Sequence, residues 1–473
     1  MGFPKLHPSA TRNGNSAWRR FACRTASVLV LSLGLGACST DLTNTESDRE
    51  LAPVVTNNGP DAATRAPNQG LIGEPSPFDG MPGDGQVLSG IYNDEAATTD
   101  KRVALLLPLS GPHGDLGRAM RHAAELALFD AAADDFVLMP IDTEASYEGG
   151  RLAAQKAINA GAKLILGPLF SDSVNGAGEV AKQAHVPVLS FSNNIRAAEP
   201  GVWVNGLSPE DQIKRAATYA VSQGKYSFAA LLPQNEYGRQ ISSSLDRIVT
   251  EAGGRLGQVS FYQPGSDAME QTVKDFAEYN QRHAALVARK AQLEADGSSA
   301  SQRALQRLAG LDTLGDPDFN ALILPTTGGD LRQVSALLAY FDVDPNNVQY
   351  IGTFGWNDSS LFAEPALNGG IFAAPEPGNW QAFSSRYKRT FGSEPPRIAS
   401  LAYDSAALAA VLAGSDQGIT MDGLTNVTGF SGIDGVFRLN ADGRTQRGYA
   451  VMQISRSGAK MISPAPASFD AVF

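Results

Sequence analysis

Short apolar runs alternate with longer amphipathic stretches along the chain from Lys101 onward. The runs VALLLPL, FVLMPID, KLILGPL and VPVLSFS each have the length of one buried strand, and a helical period follows the first three. This alternation is typical of β-α-β units, in which parallel strands form a sheet that is covered by helices. The predicted helices of this first series span 115–133, 147–160 and 172–185.

A second series with the same alternation begins after residue 208. Its apolar runs are FAALLP, LGQVSFY, NALILP and VQYIGTF, and the segment GVFRLNADGRTQRGYAVMQI predicts a β-hairpin around Asp442-Gly443. A single doubly wound domain of more than about 350 residues would be unusual, so we expect an α/β protein with two lobes of similar size. The predicted helices of the second series span 211–223, 238–252, 330–341, 380–391 and 398–412.

The segment 268–311 interrupts this alternation because it is long, charged and helix-prone. Asp296-Gly297-Ser298-Ser299 divides it, which predicts a helical hairpin that is inserted into the second lobe. Its basic side chains contrast with the whole chain, whose formal net charge is −11. They form either a solvated helical face or a surface that docks on another protein. The basic residues are Lys274, Arg282, Arg289, Lys290, Arg303 and Arg307.

Residues 1–37 have the pattern of a bacterial lipoprotein signal peptide. They contain five basic residues and no acidic one, and their uncharged run 26–37 is too short for a transmembrane helix. The signal ends in Leu35-Gly36-Ala37-Cys38, which resembles a lipobox, the motif whose cysteine thiol is acylated. The chain has two cysteines, and removal of the signal leaves only Cys38, which then has no disulfide partner in the chain. We therefore predict lipidation at Cys38, and Ser39 resembles the pattern that sorts a lipoprotein to the periplasmic face of the outer membrane.

Residues 38–100 have no sustained periodicity and are rich in Thr, Asn, Asp, Pro and Gly. A segment of this composition cannot bury enough apolar surface to offset the entropy of ordering it. We interpret it as a disordered, flexible tether between the membrane lipid and the folded lobes. Because no basic patch stands out in the acidic chain, nucleic acid is not an expected partner.

Residues that carry common catalytic and metal chemistry do not occur in recognisable patterns. The histidines show no HExxH spacing, and the chain has no GxSxG elbow and no CxxC pair. The loop GPHGDLG after the first strand lacks both the P-loop lysine and the GxGxxG spacing, and Pro112 removes a backbone donor, so a phosphate site is not expected. We therefore predict no catalytic residue, no metal and no cofactor. The histidines are His7, His113, His122, His185 and His283.

Small hydroxyl side chains follow several of the predicted strands. Because ligands of open α/β sheets lie at the carboxyl ends of the strands, we expect these side chains at a cleft between the lobes. Each serine taken singly also fits a helix cap, whose oxygen accepts a hydrogen bond from the backbone. As a group they predict a site for a small polar or anionic ligand beside an aromatic wall. The candidates are Ser110, Ser171, Ser190, Ser192 and Thr353 at strand ends, with Tyr237 and Trp356 as the wall.

Sequence blocks over nearly all of 101–456 resemble type I periplasmic binding proteins. VALLLPLSG, AGAKLILGPLFSDSV and HVPVLSFSNN resemble the first lobe of that superfamily, and SPEDQIKRAATYAVSQG and FAALLPQNEYG resemble its crossover and the start of the second lobe. FSSRYKRTFGSEPPRIASLAYDSAALAA and FSGIDGVFRLNADG resemble its closing segments. The resemblance implies two Rossmann-like lobes that are joined by three crossovers and close on a ligand by a hinge. We assign lobe 1 to 101–208 and 378–420, and lobe 2 to 209–377 and 421–473.

Two subgroups of this superfamily fit the sequence. The lipid anchor, the long tether and the motifs LLLPLSG, FNALILPTTGGDLRQVSALLAYFDVD and YIGTFGWND resemble lipoprotein activators of penicillin-binding proteins. This resemblance implies a non-enzymatic regulator that docks on a peptidoglycan synthase, a class A penicillin-binding protein. Activators of this group often carry a further helical-repeat domain before the lobes, and the tether stands in its place here.

The alternative is a receptor of the leucine-, isoleucine- and valine-binding type, which delivers amino acids to an ABC permease. In that group the ligand contacts would map onto Ser171, Ser190 and Ser192. Its acidic contact would fall near Gly355-Trp356-Asn357, where this chain has no Glu. An enzyme that acts on cell-wall material is a third hypothesis.

Overall fold

The computed structural model describes residues 101–131 and 135–469. The predicted signal peptide (1–37), the lipidation site Cys38 and the predicted tether (38–100) lie outside the described residues. All described residues belong to one compact unit, Asp94–Phe473.

The first half of lobe 1 is built from the predicted alternation of strands and helices. Its strands are β1 (Arg102–Leu107), β2 (Val137–Asp142), β3 (Leu164–Leu166), β4 (Val188–Ser190) and β5 (Val202–Val204). Its helices are α1 (Gly114–Ala131), α2 (Tyr147–Asn159) and α3 (Ser171–Gln183). The strands pair in parallel in the order β2-β1-β3-β4-β5, which confirms the predicted parallel sheet.

The chain then enters lobe 2 and repeats the pattern. The helices here are α4 (Pro209–Ser222), α5 (Glu236–Glu251), α6 (Ala268–Phe276), α7 (Tyr279–Asp296), α8 (Ser299–Leu308) and α9 (Gly328–Tyr340). The strands are β6 (Ser227–Pro233), β7 (Arg255–Tyr262), β8 (Ala321–Ile323), β9 (Gln349–Gly352) and β10 (Ile371–Ala374). The helices α7 and α8 form the predicted hairpin, and Gly297 at its bend has a positive φ of 61°.

The closing segments return to lobe 1 and end in lobe 2. They are α10 (Pro377–Phe391), α11 (Ala399–Ala413), α12 (Met421–Leu424), β11 (Phe430–Gly432), β12 (Gly435–Leu439), β13 (Thr445–Arg447), β14 (Ala450–Ser455) and β15 (Gly458–Ser463). The lobe 2 sheet has the order β15-β14-β10-β9-β8-β6-β7, with β14 and β15 antiparallel to their neighbours. The chain thus crosses between the lobes three times, after β5, after β10 and after β13.

Apolar residues cover both faces of each parallel sheet. On β1, Leu105 and Leu107 join a core with α1 and α11, whereas Ala104 and Leu106 join a second core with α2 and α3. A parallel strand that is covered by helices on both sides reads as a continuous apolar run. This is why VALLLPL was recognisable as a strand.

The structure corrects two boundaries of the sequence-based division. The segment 424–447 packs with lobe 1, since Leu424, Phe430, Phe437 and Leu439 join the core of β1 and α11. The indole N–H of Trp203 in β5 also donates a hydrogen bond to the carbonyl of Asn440 (2.7 Å). The chain therefore re-enters lobe 2 at β14 and not at residue 421. The hairpin around Asp442-Gly443 is confirmed by the antiparallel pairing of β12 with β13.

The second correction concerns the helical insertion. Helix α6 belongs to the body of lobe 2, because Met269, Val273 and Phe276 are fully buried against β7 and α9. Only α7 and α8 form the projecting hairpin, in which buried side chains are sparse. The sequence did not distinguish α6 from the hairpin, because the buried positions of α6 lie between acidic and basic residues.

Glycine at position 117 lets α1 begin close to the end of β1. A Cβ atom at Gly117 would lie 2.0 Å from the carbonyl oxygen of Pro108. Such a distance is far below van der Waals contact, so any side chain there would push the helix away from the strand. The spacing GxxGxxG in the opening loop thus reflects helix packing rather than a phosphate cradle.

Candidate ligand-binding cleft

The loops that follow β1, β3 and β4 form the rim of lobe 1. The first loop carries Ser110, which is exposed. Asp142 at the end of β2 accepts hydrogen bonds from the N–H groups of Leu109 (2.8 Å) and Glu144 (2.9 Å). Burial alone would raise the pKa of Asp142, but the nearby Ser110 hydroxyl and these backbone bonds outweigh it and hold the pKa below its ordinary value. Ser110 therefore supports a carboxylate of its own lobe.

Ser171 and Ser192 lie together at the ends of β3 and β4. Their hydroxyl oxygens are 3.3 Å apart, and Ser192 also accepts a hydrogen bond from the backbone N–H of Asn194 (3.1 Å). The rings of His113 and Phe170, with centroids 4.7 Å apart, connect this pair to the first loop. The structure therefore brings two of the predicted serines together beside an aromatic contact.

Ser190 has a structural role. It is fully buried in β4, and its hydroxyl donates a hydrogen bond to the carbonyl of Trp203 in β5 (2.9 Å). A side chain that is enclosed between two strands cannot reach the cleft. The structure thus separates Ser190 from the other rim serines.

The rim of lobe 2 contains Tyr237 and Thr353, whose side chains lie near each other. Burial raises the pKa of the Tyr237 hydroxyl, and the neighbouring Thr353 side chain opposes this rise only in part. The neutral phenol is therefore the form present at physiological pH. The structure thus places the predicted wall residue Tyr237 near the predicted strand-end hydroxyl of Thr353.

Trp356 is part of the lobe 2 core and not a cleft wall. It is fully buried, and its indole N–H donates to the carbonyl of Thr326 (3.0 Å). A Cβ atom at Gly352 would lie 2.1 Å from the indole ring, so the glycine leaves the space that the ring fills. The aromatic side chain that does reach lobe 1 is Phe354, two residues earlier.

The two rims contact each other directly. Arg196 of lobe 1 forms an ion pair with Glu236 at the start of α5. The Gln240 side chain, one turn further along α5, lies 3.5 Å from the carbonyl oxygen of Asn193. Exposed ion pairs contribute little to stability, so these contacts describe where the lobes meet rather than what holds them.

A buried carboxylate lies where α4 begins, beneath the lobe 2 rim. Glu210 accepts hydrogen bonds from Gln240 (2.9 Å) and from Ser208 (3.1 Å). Burial, together with the charge of Glu210, raises the pKa of the neighbouring Asp211 to about 7. Sequence reasoning missed this pair, because an acidic first turn after a serine cap is the ordinary start of a helix.

Arg397 connects the lobes at the far side of the cleft. Its guanidinium lies 4.4 Å from the ring centroid of Trp380 in lobe 1 and 4.9 Å from that of Phe354 in lobe 2. It also pairs with the fully buried carboxylate of Asp434 (2.6 Å). A cation between two aromatic faces is a favourable arrangement, so Arg397 is a residue that stabilises the contact between the lobes.

The first and third crossovers are hydrogen-bonded to each other. The Arg447 guanidinium donates to the Asn205 side chain (2.9 Å), and the Asn205 amide donates to Ser405 in α11 (3.3 Å). Arg447 and Asn205 are both buried. This network holds the crossovers together, and the crossovers connect the two lobes that carry the rims.

Asp404 in α11 lies beneath this junction, and its titration is expected to make the stability of the fold depend on pH. Burial raises its pKa, and the charge of Asp434 raises it further. The folded protein therefore holds a proton that the unfolded chain releases. Protonation of Asp404 thus stabilises the fold, and this stabilisation is complete below the unfolded pKa of about 4. It is lost as the pH rises through the raised folded pKa.

Asp404→Asn removes this titration. The wild type loses this stabilisation between pH 5 and pH 8, whereas the variant has none to lose. We therefore expect the variant's deficit in free energy of unfolding, relative to the wild type, to shrink by more than about 1 kcal/mol over this range. Urea unfolding of both proteins at each pH measures it. An equal deficit at both values would contradict the raised pKa.

Among the described residues, no group of His, Cys, Asp and Glu side chains is arranged to hold a metal ion. No helix within 101–131 or 135–469 has the length and apolar character needed to cross a membrane.

Two α/β lobes with facing rims and three crossovers define a binding protein of the type I periplasmic class. The chain belongs to the periplasmic binding protein family, whose model matches residues 101–459. It is similar to the penicillin-binding protein activator LpoA of Pasteurella multocida, with 28% identity over 185 residues, 38% of this chain and 31% of that protein. The chain spans about half or less of the length of the curated relatives it matches.

Solved structures confirm the fold. Full-length LpoA from Haemophilus influenzae aligns with a TM-score of 0.54 and 17% identity over 80% of this chain and 61% of that one. An ABC transporter substrate-binding protein from Sphaerobacter thermophilus aligns with a TM-score of 0.54 and 17% identity over 76% of this chain and 96% of that one. The family is one of periplasmic proteins, and the relatives support the predicted activator subgroup.

Proposed function

We propose that this protein is a lipid-anchored regulator in the periplasm that docks on a class A penicillin-binding protein and activates peptidoglycan synthesis. The similarity to penicillin-binding protein activators in both sequence and structure is the observation that carries the proposal. Lipidation at Cys38 and location at the outer membrane belong to the same proposal. In it the lobes act as a docking platform, and no catalytic residue is required.

Contacts within the cleft support docking over ligand capture. The rims are bridged by Arg196 and Glu236, and the Ser110 hydroxyl supports Asp142. A ligand that entered between the rims would exchange partners with these groups, and the exposed ion pair itself contributes little. Polar groups that already have partners add little affinity when they exchange them.

The α7–α8 hairpin is the surface that we propose for docking. Arg303 and Arg307 lie on one face of α8, one turn apart, and α8 carries no acidic residue. Such a positive surface on an acidic protein attracts an acidic patch of a partner and accelerates association. Arg282, which the sequence grouped with these residues, is buried and does not contribute to the surface.

Reversal of the charge on the hairpin provides the test. We expect Arg303→Glu together with Arg307→Glu to weaken binding to an immobilised class A penicillin-binding protein by about tenfold at low salt. The full chain, purified in detergent, is measured by surface plasmon resonance and by glycan-strand synthesis in its presence. The matched control is Arg456→Glu with Lys460→Glu, which makes the same charge change on the β14–β15 hairpin.

The two failures are distinguishable. Equal binding of both double variants would move the docking surface away from the hairpin and leave the proposed function standing. Absence of any retained synthase, with no change in its activity, would overturn the function itself.

The second candidate function is ligand capture for an ABC permease. The hydroxyl pair of Ser171 and Ser192, opposite Tyr237 and Thr353, favours it. A thermal-shift screen with amino acids, short peptides and muropeptides tests it. A ligand at 100 times its Kd adds about 2.7 kcal/mol to stability, so silence across the panel would exclude this function for these ligands.

A further inference from the structure

Lobe 1 contains a cavity of about 570 Å³ that lies outside the cleft between the lobes. It is formed between α10, α11 and the strands β11 and β12. Sites for small molecules occupy about 300–1,000 Å³ and are lined mainly by apolar and aromatic side chains. This cavity, which we call the lobe 1 cavity, has that size and that lining. Its principal residues are Phe383, Tyr403, Asp404, Leu408, Phe430 and Phe437.

Two pairs of aromatic rings line the lobe 1 cavity. Phe383 and Tyr403, on the two helices, have ring centroids 5.3 Å apart at an angle of 66°. Phe430 and Phe437, on the two strands, have centroids 5.7 Å apart at 45°. Aromatic rings pack favourably in tilted and edge-to-face geometries, so walls of this kind suit a flat aromatic guest.

The most deeply buried polar group of the lobe 1 cavity is the carboxyl of Asp404, which is 4% exposed. It accepts hydrogen bonds from the N–H groups of Ile433 (2.8 Å) and Asp434 (3.3 Å). A carboxyl group has about four acceptor positions when ionised and fewer when protonated, so these two bonds leave acceptor capacity for a guest in either form. A Cβ atom at Gly432 would lie 2.3 Å from an Asp404 oxygen, which shows how closely the strand encloses it.

The other charged and phenolic groups of the lining are already engaged. The Tyr403 hydroxyl donates to Asp130 (2.9 Å), and Arg386 forms an ion pair with the same carboxylate. These groups hold the helices α1, α10 and α11 together and define the shape of the wall. Recognition of a polar group in the interior of the cavity therefore falls to Asp404.

We propose that the lobe 1 cavity binds a free aromatic molecule of two or more rings that carries an O–H or N–H donor. The rings lie between the two aromatic pairs, and the donor binds the Asp404 carboxyl. The site lies apart from both the cleft and the α7–α8 hairpin, so it goes beyond the proposed docking function. Asp404 also connects through Asp434 to Arg397, which places the site next to the contact between the lobes.

The test uses 2-naphthol as the probe and 2-methoxynaphthalene, which lacks the donor, as its matched control. Isothermal titration of the full chain is expected to give saturable 2-naphthol binding. The methoxy compound is expected to bind about tenfold more weakly, because it offers no hydrogen-bond donor to the buried carboxyl. Equal affinities of the two probes would overturn the role of Asp404.

Filling the cavity gives an independent readout. Ala407 lines the cavity from α11, so Ala407→Trp is expected to reduce the affinity for 2-naphthol at least tenfold. Gln381→Trp introduces the same side chain at an exposed position of α10 and is expected to leave the affinity unchanged. Val411→Trp, at the exposed rim, serves as a second filling variant if the first does not fold, as judged by circular dichroism. Unchanged affinity in a folded filling variant, or no saturable binding by the wild type, would overturn the proposal.

Discussion

Trp356→Ala is expected to destabilise the protein by about 3–5 kcal/mol, the range for loss of a large buried aromatic side chain. The ring is fully enclosed in lobe 2 and packs against Gly352 and Gly370. Its removal leaves a cavity that those glycines cannot fill, and it leaves the carbonyl of Thr326 without its indole donor. Urea unfolding followed by far-UV circular dichroism measures the loss.

Trp380→Ala is the matched control for this variant. Trp380 is half-buried and covers the guanidinium of Arg397, so its removal opens no enclosed cavity. We expect a cost of about 1 kcal/mol, the size of an exposed cation–π contact. If Trp356→Ala retained wild-type stability and changed only ligand binding, the placement of Trp356 in the core would be wrong.

Arg282→Met is expected to destabilise the protein by about 3 kcal/mol or more, because several buried carbonyl groups lose a charged hydrogen-bond donor. The guanidinium donates five hydrogen bonds of 2.7–3.1 Å to the carbonyl groups of four residues. Methionine keeps much of the volume but leaves these carbonyls without a donor in a buried setting. The four residues are Ala277, Gly315, Phe341 and Asp342.

Arg289→Met on the same helix is the matched control. Arg289 is exposed and hydrogen-bonds only within its own helix, to Gln292 (3.0 Å). Its substitution is expected to change the free energy of unfolding by less than about 0.5 kcal/mol. Equal effects of the two substitutions would show that the Arg282 network does not hold α7 against the rest of lobe 2.

The contrast between Arg282 and Arg303 shows where sequence reasoning stops. Both residues are arginines in a charged, helix-prone segment, and the sequence grouped them in one candidate surface. Burial separates them, because Arg282 faces the turns after α6 and α9 while Arg303 faces solvent. Which side of a helix meets the body of the protein depends on contacts that are distant along the chain.

The candidate cleft shows the same limit of sequence-based prediction at the level of single residues. Ser190 and Ser192 are two residues apart, yet one is the buried last residue of β4 and the other lies beyond the strand. The sequence did not separate them, because the exact end of a strand is the least certain feature of a sequence-based assignment. Tyr237 and Thr353 were named separately as cleft candidates, and only the structure places them near each other. Arg397 was missed because its role arises from two rings that belong to different lobes.

The amino-acid sequence by itself determined the class of this protein. Apolar runs with helical stretches between them dictate parallel sheets, and a parallel strand needs cover on both faces, so the α/β architecture and its two lobes follow from local patterns. The β12–β13 turn followed from Asp442-Gly443 for the same reason, since turn chemistry is local.

Only the tertiary structure decided which lobe takes β11–β13, that Phe354 and not Trp356 reaches lobe 1, and which arginine is buried. Each of these depends on side chains that meet after the chain has crossed between the lobes. The lobe 1 cavity has the same origin, because α10, α11 and the strands β11 and β12 enclose it only once they are assembled. Its chemistry rests on the buried carboxyl of Asp404, which no local pattern marks.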